Sequence, residues 1–251
     1  MAEPGAAAPA FYARRGGRAA DWWTLLHPPY TVWHLSYVVL GAAVAPRVDL
    51  AALALSVLAF FLAVGLAAHA LDELQGRPLR TRISDQTLRA VAGLALAGAC
   101  ALGVVGVFFW GHVNWPLAVA IPVGAVLVVG YNLELFGGRL HSDWAFAWAW
   151  GGFPVAVGFV AQAPDITWAL LGAAVAAALG GVGTSYAQRR LSTPARELRR
   201  RTADVTGTMT RSDGTVEPLD RTVLLVPLEG ALRTLSWAIP ALAFAMLLAR
   251  L

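Results

Sequence analysis

The sequence predicts an all-α integral membrane bundle of about seven spans, and three observations carry that prediction. Hydrophobic residues make up 58% of the 251 and charged residues only 14%, a balance too apolar for a water-soluble domain of this size. The apolar residues gather into seven segments, near 30–46, 50–71, 88–110, 116–131, 144–163, 166–187 and 223–249. A bilayer needs about 20 such residues per helix, and most of these segments reach that length. The arginines cluster in alternate connections between the segments, as expected of a chain that crosses back and forth.

Along the chain, residues 1–21 (MAEPGAAAPAFYARRGGRAAD) are rich in Ala, Pro and Gly and carry Arg14, Arg15 and Arg18. No apolar core precedes Trp22, so they read as a disordered cytoplasmic tail rather than a cleavable signal peptide. Asp21 is a candidate helix cap, and Trp22 and Trp23 are candidate interfacial anchors. They open a membrane helical domain over 22–251, in which the stretch before the first span lies along the surface. The first and fourth spans are short, so flanking residues extend them or they tilt little. Glu229 and Arg233 interrupt the seventh, four apart and able to pair on a helix. Before it, over 188–221, TPARELRRRTADV has the pattern of a helix start. VTGTMTRSDGTVEPL reads either as a hairpin turning at Ser212-Asp213-Gly214 or as a disordered connector.

The arginine pattern sets an orientation. Three lie in the tail, four in the loop after the second span (Arg77, Arg80, Arg82, Arg89), one at Arg139, and eight after the sixth span, from Arg189 to Arg221. The 111–115 and 163–166 turns carry none, and 47–49 carries Arg47. This predicts a cell-membrane protein with a cytoplasmic N-terminus and the C-terminus outside. All 19 basic residues are arginine, which excludes Schiff-base or lysine-nucleophile chemistry. The net charge of +4 lies in membrane loops, not along the soluble basic surface that nucleic acid requires. The single Cys100, inside an apolar run, excludes an intrachain disulfide and reads as a small buried hydrophobe.

Two polar groups fall on the predicted cytoplasmic side. In AHALDELQGRPLRTRIS, residues 68–84, His69 stands three and four positions before Asp72 and Glu73, so a continuing helix puts all three on one face. Acids at a helix C-terminus oppose the macrodipole by about 0.3–1 kcal/mol, so a cation, a metal or the downstream arginines must offset them. Pairing with Arg77 and Arg80 is the simple alternative to a site. In GYNLELFGGRLHSDWAF, Tyr131, Asn132, Glu134, His141 and Asp143 flank a Gly-Gly turn. Either these converge with His69–Glu73 on one cavity, or Asp143 caps a helix, Glu134 is solvated and His141 is a loop histidine. His34, inside the first span, either hydrogen-bonds another helix or lines the same cavity. Trp144 with Trp148, and Phe146 with Trp150, are each four apart. At least one pair is expected to form an interfacial belt or bundle packing, and either could line an apolar chamber.

Taken in order, HPPYTVWHLSYVVLGAAVAP, a second span ending in HALDE, and then GRPLRTRIS resemble the UbiA-type intramembrane prenyltransferase superfamily. Arg77-Pro78-Leu79 and Arg82-Ile83-Ser84 match the family's loop, and YN at 131–132 and GGFPVAVGF at 151–159 sit where its later spans carry similar residues. The likeness covers roughly residues 24–190. It implies a helical bundle around a lipid-open chamber, where acidic motifs hold Mg²⁺ on an isoprenyl diphosphate and an acceptor captures the allylic cation. Carried over by position, His69, Asp72, Glu73 and Tyr131 would be catalytic. Where the family's second acidic motif is expected, this chain has Gln188, Arg189 and Arg190. Arg77, Arg80, Arg82, Arg189 and Arg190 would then meet the diphosphate directly.

Three functional classes follow. The first is a prenyltransferase-like enzyme using one metal at Asp72 and Glu73, an isoprenyl diphosphate and an acceptor the sequence does not name. The second is a transition-metal enzyme, a di-iron enzyme included, because His69, Asp72, Glu73, Glu134, His141 and Asp143 mix imidazole with carboxylate in a way that suits Fe, Mn or Zn better than Mg²⁺. The third is a non-catalytic protein that binds membrane lipid or serves as a subunit of a membrane complex.

Overall fold

A computed structural model describes residues 8–162 and 168–251. The first seven residues of the expected tail and all of the 163–166 turn lie outside these. Among the described residues the elements are α1 (Gly17–Leu26), α2 (Pro28–Ala43), α3 (Leu50–Leu74), α4 (Asp85–Val107), α5 (Trp115–Asn132), α6 (Asp143–Gln162), α7 (Trp168–Arg200), strands β1 (Thr208–Thr210) and β2 (Val216–Pro218), and α8 (Arg221–Leu248). The helices α3 to α8 are long and apolar enough to cross a membrane, and the protein is a multi-span helical bundle. The shorter α2 is well enclosed, with Trp33, Tyr37, Val38 and Ala42 almost completely buried.

Side-chain oxygens start the helices. Asp49, Ser84, Asn114, Ser142 and Asp220 each accept hydrogen bonds from backbone N–H groups in the first turn. Two expected caps lie elsewhere. Asp21 falls inside α1 and pairs with Arg82 at 3.0 Å, and the cap of α6 is Ser142 rather than Asp143.

Two helices widen where they matter most. Phe61–Ala68 in α3 and Trp148–Gly152 in α6 are π-helical, a geometry that frees carbonyls from the regular ladder and recurs at functional sites. Backbones also approach closely. A Cβ on Gly158 would stand 2.2 Å from the Val38 carbonyl oxygen, and one on Gly41 2.0 Å from that of Val155. This small-residue contact seats α6 on α2, as lipid-embedded helices commonly require.

The connections sort to two ends. At one, Trp110 Nε1 donates to the Ala161 carbonyl at 3.0 Å, Asn114 Nδ2 donates to that of Val160 at 2.8 Å, and Arg250 donates to Pro46 at 2.9 Å. Arg47 and Arg250 are the arginines there. The other end gathers the α3–α4 loop, the α5–α6 turn, the C-terminal part of α7, the β1–β2 hairpin and the N-terminal segment. This grouping is what a chain running back and forth between two ends requires.

Two expectations change. Residues 8–16 are folded back over the arginine-rich end instead of forming a disordered tail. Tyr12 is buried and packs edge-on against Phe11 and Tyr30, and its carbonyl accepts from Trp23 Nε1 at 3.1 Å. Helix α7 also runs to Arg200, well past the expected end at 187 and through Pro194. The extension is tied to α8 by a two-pronged ion pair between Arg199 and Glu229, one contact of which measures 2.7 Å.

Candidate functional site

At the arginine-rich end, a cavity of about 390 Å³ opens between α2, α3, α5, α6, α7 and α8, with Pro9–Tyr12 as its roof. Its walls carry four histidines, His27, His34, His69 and His141, and three tyrosines, Tyr12, Tyr30 and Tyr131. Arg189, Arg196, Arg199 and Arg200 face it from α7. The two polar groups read from the sequence therefore do meet on one chamber, though unequally.

Asp72 and His69 line the wall from α3. Glu73 points the other way and is fully buried. Its carboxylate accepts from Leu79 N–H at 2.9 Å, Thr81 N–H at 2.8 Å and Thr81 Oγ1–H at 2.9 Å. It thus organises the following loop, where Arg77 and Arg80 adopt left-handed backbone angles. Arg77 pairs with Asp85 and donates to the Ile83 carbonyl at 2.6 Å, Arg82 pairs with Asp21, and Arg80 is exposed. None of the three lines the chamber. Asp143 holds Arg189 at 3.2 Å and Arg190 at 3.8 Å; Arg189 reaches the chamber, while Arg190 is mostly exposed outside it. Glu134 and His141 sit at the rim, 3.9 Å apart.

Of the arginines on the α7 extension, the sequence points to Arg189 and Arg190 as site residues but not to Arg196, Arg199 or Arg200. Arg189, Ser192, Arg196 and Arg200 follow helical spacing, a signal hidden by ending the span at 187. Two of these arginines lack a carboxylate partner among the described residues. Arg196 makes one side-chain hydrogen bond, to Thr193 Oγ1 at 3.4 Å, and Arg200 Nε donates to the Pro9 carbonyl at 3.0 Å. Asp72 is the chamber carboxylate without a hydrogen bond or ion pair there.

The histidines have assignable tautomers, because a carbonyl can only accept. Nδ1–H of His34 donates to Trp150 at 2.9 Å, that of His69 to Gly65 at 3.1 Å, and that of His141 to Tyr131 at 3.2 Å. Trp150 and Gly65 both belong to the π-helical stretches, so the widened turns supply these anchoring carbonyls. His27 stacks on His69 with ring centroids 4.2 Å apart. Burial first, and then the His69 imidazole, hold His27 well below the usual imidazole range. Burial likewise raises the Tyr12 phenol. His27 Nε2, Tyr131 Oη and Gln188 Oε1 are buried polar atoms without a hydrogen-bond partner, and all three residues line the chamber.

Below the chamber lies an apolar groove of about 100 Å³ between α3, α4, α5 and α6. Trp150 lines both spaces. It stacks with Phe146 at 5.8 Å and packs on Tyr131 at 4.5 Å. The aromatic pairs of α6 therefore divide: Phe146 and Trp150 turn inward, while Trp144 and Trp148 are more than half exposed on the bundle surface.

The donor set does not fit the Mg²⁺ that the resemblance implies. Both Glu73 oxygens are taken by the loop and Asp143 is held by two arginines, leaving Asp72 as the one unengaged acid on the inner wall. No three His, Cys, Asp or Glu side chains among the described residues are grouped to hold a metal ion. No protein-family model, curated protein or solved structure matches the chain. The class of protein defined by the fold is accordingly an all-α multi-span membrane bundle, here with an arginine-lined chamber set against an apolar groove.

Proposed function

We propose that this protein is a UbiA-type intramembrane enzyme that takes an isoprenyl diphosphate, head in the chamber and chain in the groove, and passes the prenyl group to an acceptor. The single observation supporting this reading is the junction at Trp150, where an arginine-bearing polar chamber meets a predominantly aliphatic and aromatic cleft. A ligand with an anionic head and a long apolar chain matches both halves. The loop arginines, counted with the positive-inside rule, support a chamber open to the cytoplasm.

In the reaction, the allylic C–O bond breaks and diphosphate leaves with the electron pair, its charge met by α7 guanidinium groups. The π faces of Phe146, Tyr131 and Trp150 stabilise the cation left behind. The acceptor supplies the electron pair of the new bond and loses a proton. His69 suits that proton, because its Nδ1–H is committed to Gly65 and its Nε2 keeps a lone pair.

Purified protein titrated with isoprenyl diphosphates of increasing length, followed by native mass spectrometry and assay of released diphosphate, tests the reading. Absence of binding and turnover at every length would end it. Binding without turnover would move the assignment to a non-catalytic lipid-binding protein. One observation favours a transition-metal enzyme instead. His34, His69 and His141 are each anchored through Nδ1 to a carbonyl, as metal-bound imidazoles commonly are. Elemental analysis of protein purified without chelators decides that alternative, and a metal-free result eliminates it.

A further inference from the structure

In a metal-bridged diphosphate site, several carboxylates face the ligand and hold the cation that holds the phosphate. Here the carboxylates serve other ends. Glu73 binds the 79–81 backbone, Asp143 is shared by two arginines, and Asp72 alone is unengaged on the inner wall.

The cations are arranged in the opposite way. Arg196 has Arg189 and Arg200 as charged neighbours, with Asp72 and Tyr131 across the chamber. It has no carboxylate of its own among the described residues. Arg200 commits Nε to the Pro9 carbonyl, leaving its two terminal nitrogens without a protein partner there. Like charges gathered in a partly enclosed space repel unless an anion sits between them. A second and independent observation points to the same place. Tyr131 is 6% exposed, its hydroxyl has no hydrogen-bond partner, and it lines the chamber.

We infer that the chamber holds the phosphate or diphosphate head of its lipid ligand directly on Arg189, Arg196 and Arg200, with Tyr131 donating a further hydrogen bond and no divalent cation in between. The inference rests on the proposed function and deepens it. Each planar guanidinium presents a fork of N–H donors that matches two phosphate oxygens, so three forks supply the charge and geometry that bridging metals supply elsewhere. The sign of the Asp72 effect then reverses. In a metal site this acid is indispensable, whereas against a directly held phosphate it only repels.

The test is calorimetric titration of the full-length protein in detergent with inorganic diphosphate, with an isoprenyl diphosphate, and with phosphatidic acid in mixed micelles. Each titration is run with Mg²⁺ and again with EDTA. The expected result is equal affinity in both conditions, a loss of roughly tenfold or more in Arg196→Gln and in Arg200→Gln, and tighter binding in Asp72→Asn. Arg196→Lys, which keeps the charge and loses the fork, falls between, and thermal melts of each variant establish that it is folded. Preference among the three ligands identifies the natural source of the phosphate, and binding of any of them in EDTA supports direct arginine contact. Binding that needs Mg²⁺ and disappears in Asp72→Asn overturns the inference and leaves the prenyl reading standing. Binding of none of them in either condition overturns both.

Discussion

Glu73 shows how residue chemistry and site chemistry part company. Its position beside Asp72 suggests a metal ligand, yet its carboxylate receives three loop donors at 2.8–2.9 Å. The two left-handed residues it steadies, Arg77 and Arg80, each carry a backbone cost of about 1–2 kcal/mol. Glu73→Gln turns one acceptor into a donor facing N–H groups, so a loss of about 3 kcal/mol is expected, read by chemical denaturation. His27 makes a pH prediction. Burial, reinforced by His69, lowers its folded pKa, while the unfolded chain titrates near the usual value of about 6.5. Below that pH the unfolded state binds more protons, so the contribution is full above about 6.5 and is lost as pH falls towards the folded pKa. Thermal melts should drop on acidification through this window, and His27→Gln should flatten the slope.

At the scale of elements, two contacts position the site. Gly158 lets α6 lie on α2, which brings Trp150 to His34. Gly158→Ala drives a methyl group into the Val38 carbonyl, and a loss of about 2–3 kcal/mol is expected in melting experiments. Arg199 and Glu229 join the α7 extension to α8, and Glu229 is buried. Arg199→Gln leaves that acid with only the more distant Arg233, 3.8 Å away, and should cost about 3 kcal/mol. The double variant Arg199→Gln, Glu229→Gln should recover much of the loss. A double-variant loss equal to the sum of the Arg199→Gln and Glu229→Gln losses would show that the pair is not coupled. Arg196, Arg199 and Arg200 are hard to read because the apolar run stops near 187 while the helix does not. Past that point α7 is held by tertiary contacts with α8 and with residues 8–9, whose carbonyls accept from Arg199 and Arg200.

For the whole molecule, the grouping of connections at two ends agrees with the alternating arginines. The orientation proposed from them is tested by cysteine labelling in intact cells. S212C in the hairpin turn should be protected from an impermeant reagent and H112C at the opposite end should be labelled, the reverse pattern indicating the inverted topology.

The sequence by itself determined the helical class, the approximate spans and the separation of arginine-rich from arginine-poor ends. Those are sums over many residues, and hydropathy and charge are additive along a chain. For His69, Asp72, Tyr131 and His141 it offered convergence on one cavity as one of two readings. Only the tertiary structure decided which way each side chain faces. Glu73 turns into its loop, Trp150 turns into the chamber, the segment at 8–16 folds over the top, and Arg196 and Arg200 enter from a helix longer than its apolar run. Those outcomes depend on partners far away in sequence: the α2 contact at Gly158, the carbonyls of two π-helical turns, and a carboxylate on the last helix. No local pattern encodes them.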